Sequence, residues 1–125
     1  MIIDTNALSA LIDGDPNLGP VLSTSGADHL PVIVIGEYAF GLARSRHRKL
    51  LQAALESAID AFVVLDIETT TAGYYAEIRD EQRLIGRPIP DNDLWIAALA
   101  RQHRLPIVSL DKHYDLVAGI ERIEW

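Results

Sequence analysis

Apolar runs that end abruptly in polar residues recur along this chain, and their lengths alternate between those of strands and those of helices. Met1-Ile2-Ile3 runs into Asp4-Thr5-Asn6, the pattern of a short buried strand whose carboxyl end carries polar groups into a crevice. Residues 7–12 follow as a short helix stopped by Asp13-Gly14-Asp15-Pro16, and residues 21–27 read as another. Pro31-Val32-Ile33-Val34-Ile35 is β-branched and too short for a helix, so it reads as a second buried strand, with a helix opening behind it at Gly36-Glu37. Residues 50–59 carry amphipathic spacing, with Leu51, Ala54, Leu55 and Ala58 as the apolar stripe. Residues 61–65 form a third strand. The next helix, residues 68–85, sets Tyr74, Ile78 and Ile85 on one face and Glu77, Asp80, Glu81 and Arg83 on a solvated one, and Gly86, Pro88 and Pro90 end it. Residues 90–100 are apolar nearly all round, hence a buried helix. Residues 105–110 are a fourth strand, and residues 120–125 a short edge strand.

Strand and helix signals that alternate throughout predict an α/β fold, with a mostly parallel sheet of four to five strands covered on both faces by right-handed crossovers. At 125 residues the chain is expected to be one domain that buries its core without disulfides or a structural metal. It has no Cys, which excludes thiolate metal sites and a Cys nucleophile. The start lacks a basic segment ahead of an apolar one, and no apolar run reaches the ~20 residues of a membrane helix, so the chain reads as cytosolic.

A net charge of −7 ordinarily argues against a nucleic-acid partner. The distribution changes that reading, because four of the eleven basic residues, Arg44, Arg46, Arg48 and Lys49, fall together around His47. Positions seven and eleven past Glu37 return to nearly its face, so an unbroken helix would align Arg44 and Arg48 with it. Meanwhile Asp4, Glu37 and Asp111 stand where strands end or helices begin, and Asp93 joins them from the start of the buried helix. Carboxylates gathered at a crevice repel one another and take up protons unless cations neutralise them. Oxygen-only ligands suit Mg²⁺ or Mn²⁺, which keep waters and contact phosphates, and this points to metal-assisted phosphodiester hydrolysis.

These residues resemble the PIN domain, and more closely the VapC-type toxin ribonucleases of toxin–antitoxin pairs. The likeness runs through Ile3-Asp4-Thr5-Asn6, Glu37, Pro90-Asp91-Asn92-Asp93-Leu94-Trp95-Ile96-Ala97-Ala98 and Val108-Ser109-Leu110-Asp111-Lys112-His113-Tyr114. It implies a single PIN-like domain over residues 1–125, a three-layer α/β/α sandwich, with metal-binding catalytic carboxylates at Asp4, Glu37, Asp93 and Asp111. It also implies Mg²⁺-dependent cleavage of an RNA substrate, inhibition by a small antitoxin protein that fills the active-site groove, and a homodimer. Apolar residues of the early helices, such as Leu8, Leu11, Ile12 and Leu42, are expected to line that groove for an amphipathic partner helix. Thr5, Asn6 and Ser109 are expected to orient the acids, and Arg44, Arg46 and Arg48 to grip the RNA backbone. Ser109 stands where the family often has Thr and Tyr114 where it has Phe, while Asp115 is an added acid. Asp91 reads as the helix cap and Asp93 as the ligand. His113 stays open between a surface position and a place in the site.

Two other readings compete. A PIN nuclease acting in RNA processing or on structured DNA would carry the same acids, since phosphate contacts do not say which nucleic acid is bound. A phosphoacceptor receiver domain could use Asp66 and Lys112, but it needs adjacent acids after the first strand, where this chain has Asp4-Thr5.

Overall fold

The structure, a computed structural model, describes residues 1–125 except Ser23 and Ser25. Five parallel strands make one sheet in the order β3-β2-β1-β4-β5, with β1 at Ile2–Ile3, β2 at His29–Pro31, β3 at Val63–Leu65, β4 at Ile107–Val108 and β5 at Arg122–Ile123. Ile2 pairs with His29 on one side and Ile107 on the other, so β1 lies at the centre of the sheet. The strands are brief, two or three residues each. Ile2, Ile3, Leu30, Ile107 and Val108 are fully buried.

The crossovers explain the layers. Connections from β1 to β2 and β2 to β3 step one way across the sheet, and the connection from β3 to β4 steps back. Right-handed crossovers therefore put α1 (Thr5–Asp13), α2 (Leu18–Leu22), α3 (Val32–Leu42) and α4 (Arg48–Ala61) on one face, and α5 (Thr69–Leu84) and α6 (Asp91–His103) on the other. The reversal falls between β1 and β4, where open α/β sheets form their ligand crevice at the carboxyl ends of the strands.

Helix α1 starts and stops where the chemistry of the chain says, with the Asp4 side chain as its cap. Gly14 ends α1 at φ 78°, a left-handed conformation that a Cβ disfavours, and its amide returns to the Leu11 carbonyl. Helix α6 buries Leu94 and every residue from Ile96 to Ala100, and packs along α5, where Tyr75 stacks on Trp95 with ring centroids 4.1 Å apart. The region expected to be helical over residues 21–27 differs: α2 covers Leu18–Leu22, and Ser23 and Ser25 lie outside the described residues.

The main departure is the run Val32-Ile33-Val34-Ile35, which opens helix α3 instead of forming a strand. Strand β2 lies just before it and ends at Pro31, whose ring has no N–H to extend the ladder and whose extended backbone (φ −63°, ψ 142°) caps the helix. Tertiary burial then overrides β propensity, because Val34 is sealed between α3 and its neighbours while Ile33 and Ile35 pack at its flanks. Glu37 consequently sits in the second turn of α3, not at its start. Helix α3 also stops at Leu42, so Arg44 and Arg46 lie in a turn, Arg48 begins α4, and no single helix aligns them with Glu37. Ile85 is exposed beyond the end of α5, and Glu81 is not simply solvated, since both its oxygens accept from Arg101 at 2.9 Å.

Asp115 has a structural task. Arg122 on β5 donates Nε and Nη2 to its two oxygens at 2.7 and 2.9 Å, and Nη1 to the Ser109 carbonyl at 3.0 Å and to Glu124 at 2.8 Å. One guanidinium thus ties the edge strand to the exit of β4 and to the 3-10 turn Lys112–Leu116 behind it. The Arg122 hydrogen bonds hold the Asp115 carboxyl below its ordinary value. A depressed acid contributes stability above the ordinary carboxylate range and loses it as pH falls through its folded value. Asp115→Asn should therefore melt below wild type near neutral pH, with the gap closing as pH falls through the folded value of the Asp115 carboxyl; a gap of equal size at neutral and at acid pH would contradict this role.

Candidate active site

Asp4 leaves β1 directly into the first turn of α1 and is only 4% exposed. Four donors converge on it. Oδ1 accepts from the Thr5 amide at 2.8 Å and the Tyr114 hydroxyl at 3.3 Å, and Oδ2 from Ser109 Oγ at 2.6 Å and Asn6 Nδ2 at 3.0 Å. Burial raises the Asp4 carboxyl above its ordinary value, against the pull of the Ser109, Thr5 and Tyr114 hydrogen bonds, and nearby Glu37 adds to the rise. Asn6 stitches β1 to β4: its Nδ2 also donates to Ser109 Oγ at 3.0 Å, and its Oδ1 accepts the Leu110 amide at 3.1 Å.

Ser109 continues the chain of contacts by accepting the Asp111 amide at 2.9 Å. Asp111 then caps the 3-10 turn by accepting the His113 amide at 2.9 Å. Asp93, on the first turn of α6, faces this turn. His113 Nδ1 stands 2.9 Å from Asp93 Oδ2 and 3.0 Å from Asp111 Oδ1. Burial raises Asp93, the His113 hydrogen bond opposes the shift, and the charges of Asp111 and Asp4 add to it. The two carboxylates in turn raise His113, Asp93 most. Tyr114, the next residue, is fully buried and its hydroxyl is pushed far up by that burial, so it acts as a donor to Asp4 and not as an acid.

Glu37 approaches from α3, where Thr5 Oγ1 donates to Oε2 at 2.5 Å and Asn92 Nδ2 to Oε1 at 2.7 Å. The first turn of α6 therefore points three ways, which its 3.6-residue period explains. Asn92 reaches Glu37, Asp93 reaches His113, and Asp91 accepts from Tyr75 at 2.8 Å and lies 3.4 Å from Arg79. Asp91 is not the helix cap; Pro90 holds that position, with no side-chain bond.

Of the residues singled out from sequence, Asp93 and Asp111 meet directly, Asp4 lies behind them through Ser109 and Tyr114, and Glu37 is tied in through Thr5 and Asn92. Arg44, Arg46 and Arg48 are exposed, and Arg44 lies over the Phe40 ring at 5.9 Å. Asp66 follows the edge strand β3, two strands from β1, so the receiver-like pairing has no shared crevice. Sequence reasoning missed Asn92 and the Asp4 contact of Tyr114, and left His113 undecided.

Ligand atoms of Asp93, Asp111 and His113 all lie within 4.8 Å of one another. Buried and mutually repelling carboxylates, with Asp4 and Asp93 both drawn toward protonation, form a donor set whose cost a small divalent cation would offset.

Residues 1–120 match the PIN domain family, and the chain belongs to it. Among its relatives is the ribonuclease VapC5 of Mycobacterium tuberculosis, 29% identical, the match spanning 98% of this chain and 91% of that protein. The crystal structure of VapBC-5 from the same organism, a member of the VapBC family of toxin–antitoxin systems, superposes with a TM-score of 0.78 at 25% identity and covers 99% of this chain and 97% of that one. DNA-bound VapBC from Salmonella typhimurium matches the fold at a TM-score of 0.89 and 24% identity, over 99% and 96% of the two chains.

Proposed function

We propose that this protein is a metal-dependent endoribonuclease and the toxin of a toxin–antitoxin pair. The observation that carries the reading is the pairing of Asp93 and Asp111 through His113 in a PIN fold, with Asp4 joined to them through Ser109 and Glu37 linked through Thr5 and Asn92. The resemblance to ribonuclease VapC5 and to a VapBC toxin–antitoxin structure supports it.

In this reading Asp4, Glu37, Asp93 and Asp111 hold Mg²⁺ or Mn²⁺, the ion supplying Lewis acidity toward water and the phosphate when bound. Asp4 anchors the group from beneath, its carboxylate held by two donors on each oxygen. Thr5 and Asn92 fix Glu37, while Ser109 and Asn6 fix Asp4. Asp93, raised by burial, is suited to accept the proton of an attacking water at a carboxylate oxygen. Arg44, Arg46 and Arg48, all exposed, contact the RNA phosphates.

An antitoxin would restrain such an enzyme. The groove beside Glu37 supports this, being lined by Val32, Ile33, Gly36, Phe40 and Asn92, with Phe40 73% and Val32 40% exposed. An amphipathic partner helix could lay apolar side chains there and bring a Lys or Arg to the carboxylates. Leu8 and Leu42, expected from sequence to line the groove, are in the core, and Leu11 and Ile12 are half-buried. A homodimer belongs to the same reading, with exposed Leu84 and Ile85 as apolar surface for it. No helix among the described residues is long and apolar enough to cross a membrane, in keeping with a cytoplasmic RNA target.

The test is expression of the chain alone and together with the product of the adjoining upstream gene. Growth arrest with fragmented RNA in the first case and neither in the second is the expected result. A folded protein that leaves growth and RNA intact in both cases overturns the proposal.

A further inference from the structure

The imidazole of His113 occupies a particular position among the acids. Its Nδ1 is 2.9 Å from one oxygen of Asp93 and 3.0 Å from one of Asp111. In an octahedral sphere with ligands at about 2.1 Å, neighbouring donors stand about 3.0 Å apart, so these separations match two edges of such a sphere. The side chain is held there by its own backbone, because the His113 amide donates to the same Asp111 oxygen and Tyr114 is fully buried next in the chain. The ring is 45% exposed, which leaves its far side toward solvent while Nδ1 is turned to the carboxylates.

We propose that His113 adds a nitrogen donor to the cation site of Asp93 and Asp111, so that the site prefers Mn²⁺ and Co²⁺ to Mg²⁺. This rests on the metal-dependent reading given above and deepens it by naming the class of ion. Imidazole suits the later first-row ions, whereas oxygen and water alone suit Mg²⁺, and Mn²⁺ accepts both donor types. A His that only oriented the carboxylates through hydrogen bonds would produce the same distances. The two roles differ in what they do to ion preference: an orienting group supports all ions alike, and a nitrogen ligand supports the nitrogen-accepting ions selectively.

The experiment uses tag-free, metal-stripped full-length protein, titrated separately with Mg²⁺, Mn²⁺ and Co²⁺ by calorimetry, for wild type, His113→Ala, His113→Gln and Asp93→Asn. Pulsed electron paramagnetic resonance of the Mn²⁺-loaded protein reads ¹⁴N coupling directly. For the His113 variants the expected loss is about tenfold or more in Co²⁺ affinity, less in Mn²⁺ and least in Mg²⁺. The ¹⁴N signal of wild type should vanish in His113→Ala while Mn²⁺ still binds. Equal losses for all three ions, or Mn²⁺-loaded wild type without ¹⁴N coupling, overturn the nitrogen ligand, and the wild-type spectrum decides even if a variant fails to fold. Asp93→Asn binding all three ions as tightly as wild type would instead overturn the metal site itself.

Discussion

Asp93→Asn should lose metal-dependent RNA cleavage by about a hundredfold or more and remain folded. Groups that merely stand behind metal ligands are worth about 10- to 100-fold in affinity or activity, so a ligand carboxylate sets a floor at the upper end of that range. The same substitution should leave the metal-free protein at least as stable near neutral pH. Burial holds the Asp93 carboxyl above its ordinary value, which means that folding disfavours its charge. An acid raised in the folded state favours folding at pH below its ordinary value, and that advantage is lost as pH rises through the folded one. The stability of wild type relative to the Asn variant should therefore improve as pH falls into the carboxylate range. Asn keeps the volume and an oxygen for His113 Nδ1. Denaturation in EDTA and cleavage with and without Mn²⁺ measure both halves, and full, EDTA-resistant cleavage by Asp93→Asn would refute the assignment.

The residues of this site differ in how openly the chain announces them. Asp4 and Asp111 were legible because each follows an apolar run that could only be a short buried strand, and β1 and β4 do lie side by side. Asp93 was legible because helix α6 is apolar on nearly every side, which leaves its first turn as the polar end. Glu37 was assigned to a helix start through a misread strand: four β-branched residues look alike whether they face a sheet neighbour or three helices, and only the tertiary packing distinguishes them. Asn92, His113 and Tyr114 were harder still. Their roles depend on the direction each side chain takes from a turn, and a change of one residue in the start of α6 would exchange the partners of Asp91, Asn92 and Asp93. The groove misled for the converse reason, since helical spacing identifies Leu8 and Leu42 as apolar without saying that α1 and α3 turn them into the core while Val32 and Phe40 stay outside.

Asp4→Asn should behave unlike Asp93→Asn, losing stability together with cleavage. Asp93 meets one imidazole, whereas Asp4 accepts four hydrogen bonds, two on each oxygen. An amide has one oxygen and one NH₂ group, and neither orientation suits the donors in place. With its nitrogen on the Oδ1 side, the variant sets a donor against the Thr5 backbone amide, which cannot turn. With its nitrogen on the Oδ2 side, it sets a donor against Asn6 Nδ2, and flipping Asn6 would remove the acceptor that the Leu110 amide uses. A stranded buried donor costs about 1–3 kcal/mol, and hydrogen bonds to a charged acceptor are worth about 1.5–3 kcal/mol each. Relief of the buried charge, which raises the Asp4 carboxyl, offsets part of that loss but does not replace the missing acceptors. We expect a net destabilisation of about 1–3 kcal/mol in EDTA, read as an earlier urea midpoint with an unchanged slope. The effect should reach past the site, because Asn6 and Ser109 join β1 to β4 through this carboxylate, and amide exchange at Leu110 and Asp111 should quicken in the variant. An Asp4→Asn protein that melts at or above wild type would mean that burial of the charge, not the hydrogen-bond hub, dominates at the carboxyl end of β1.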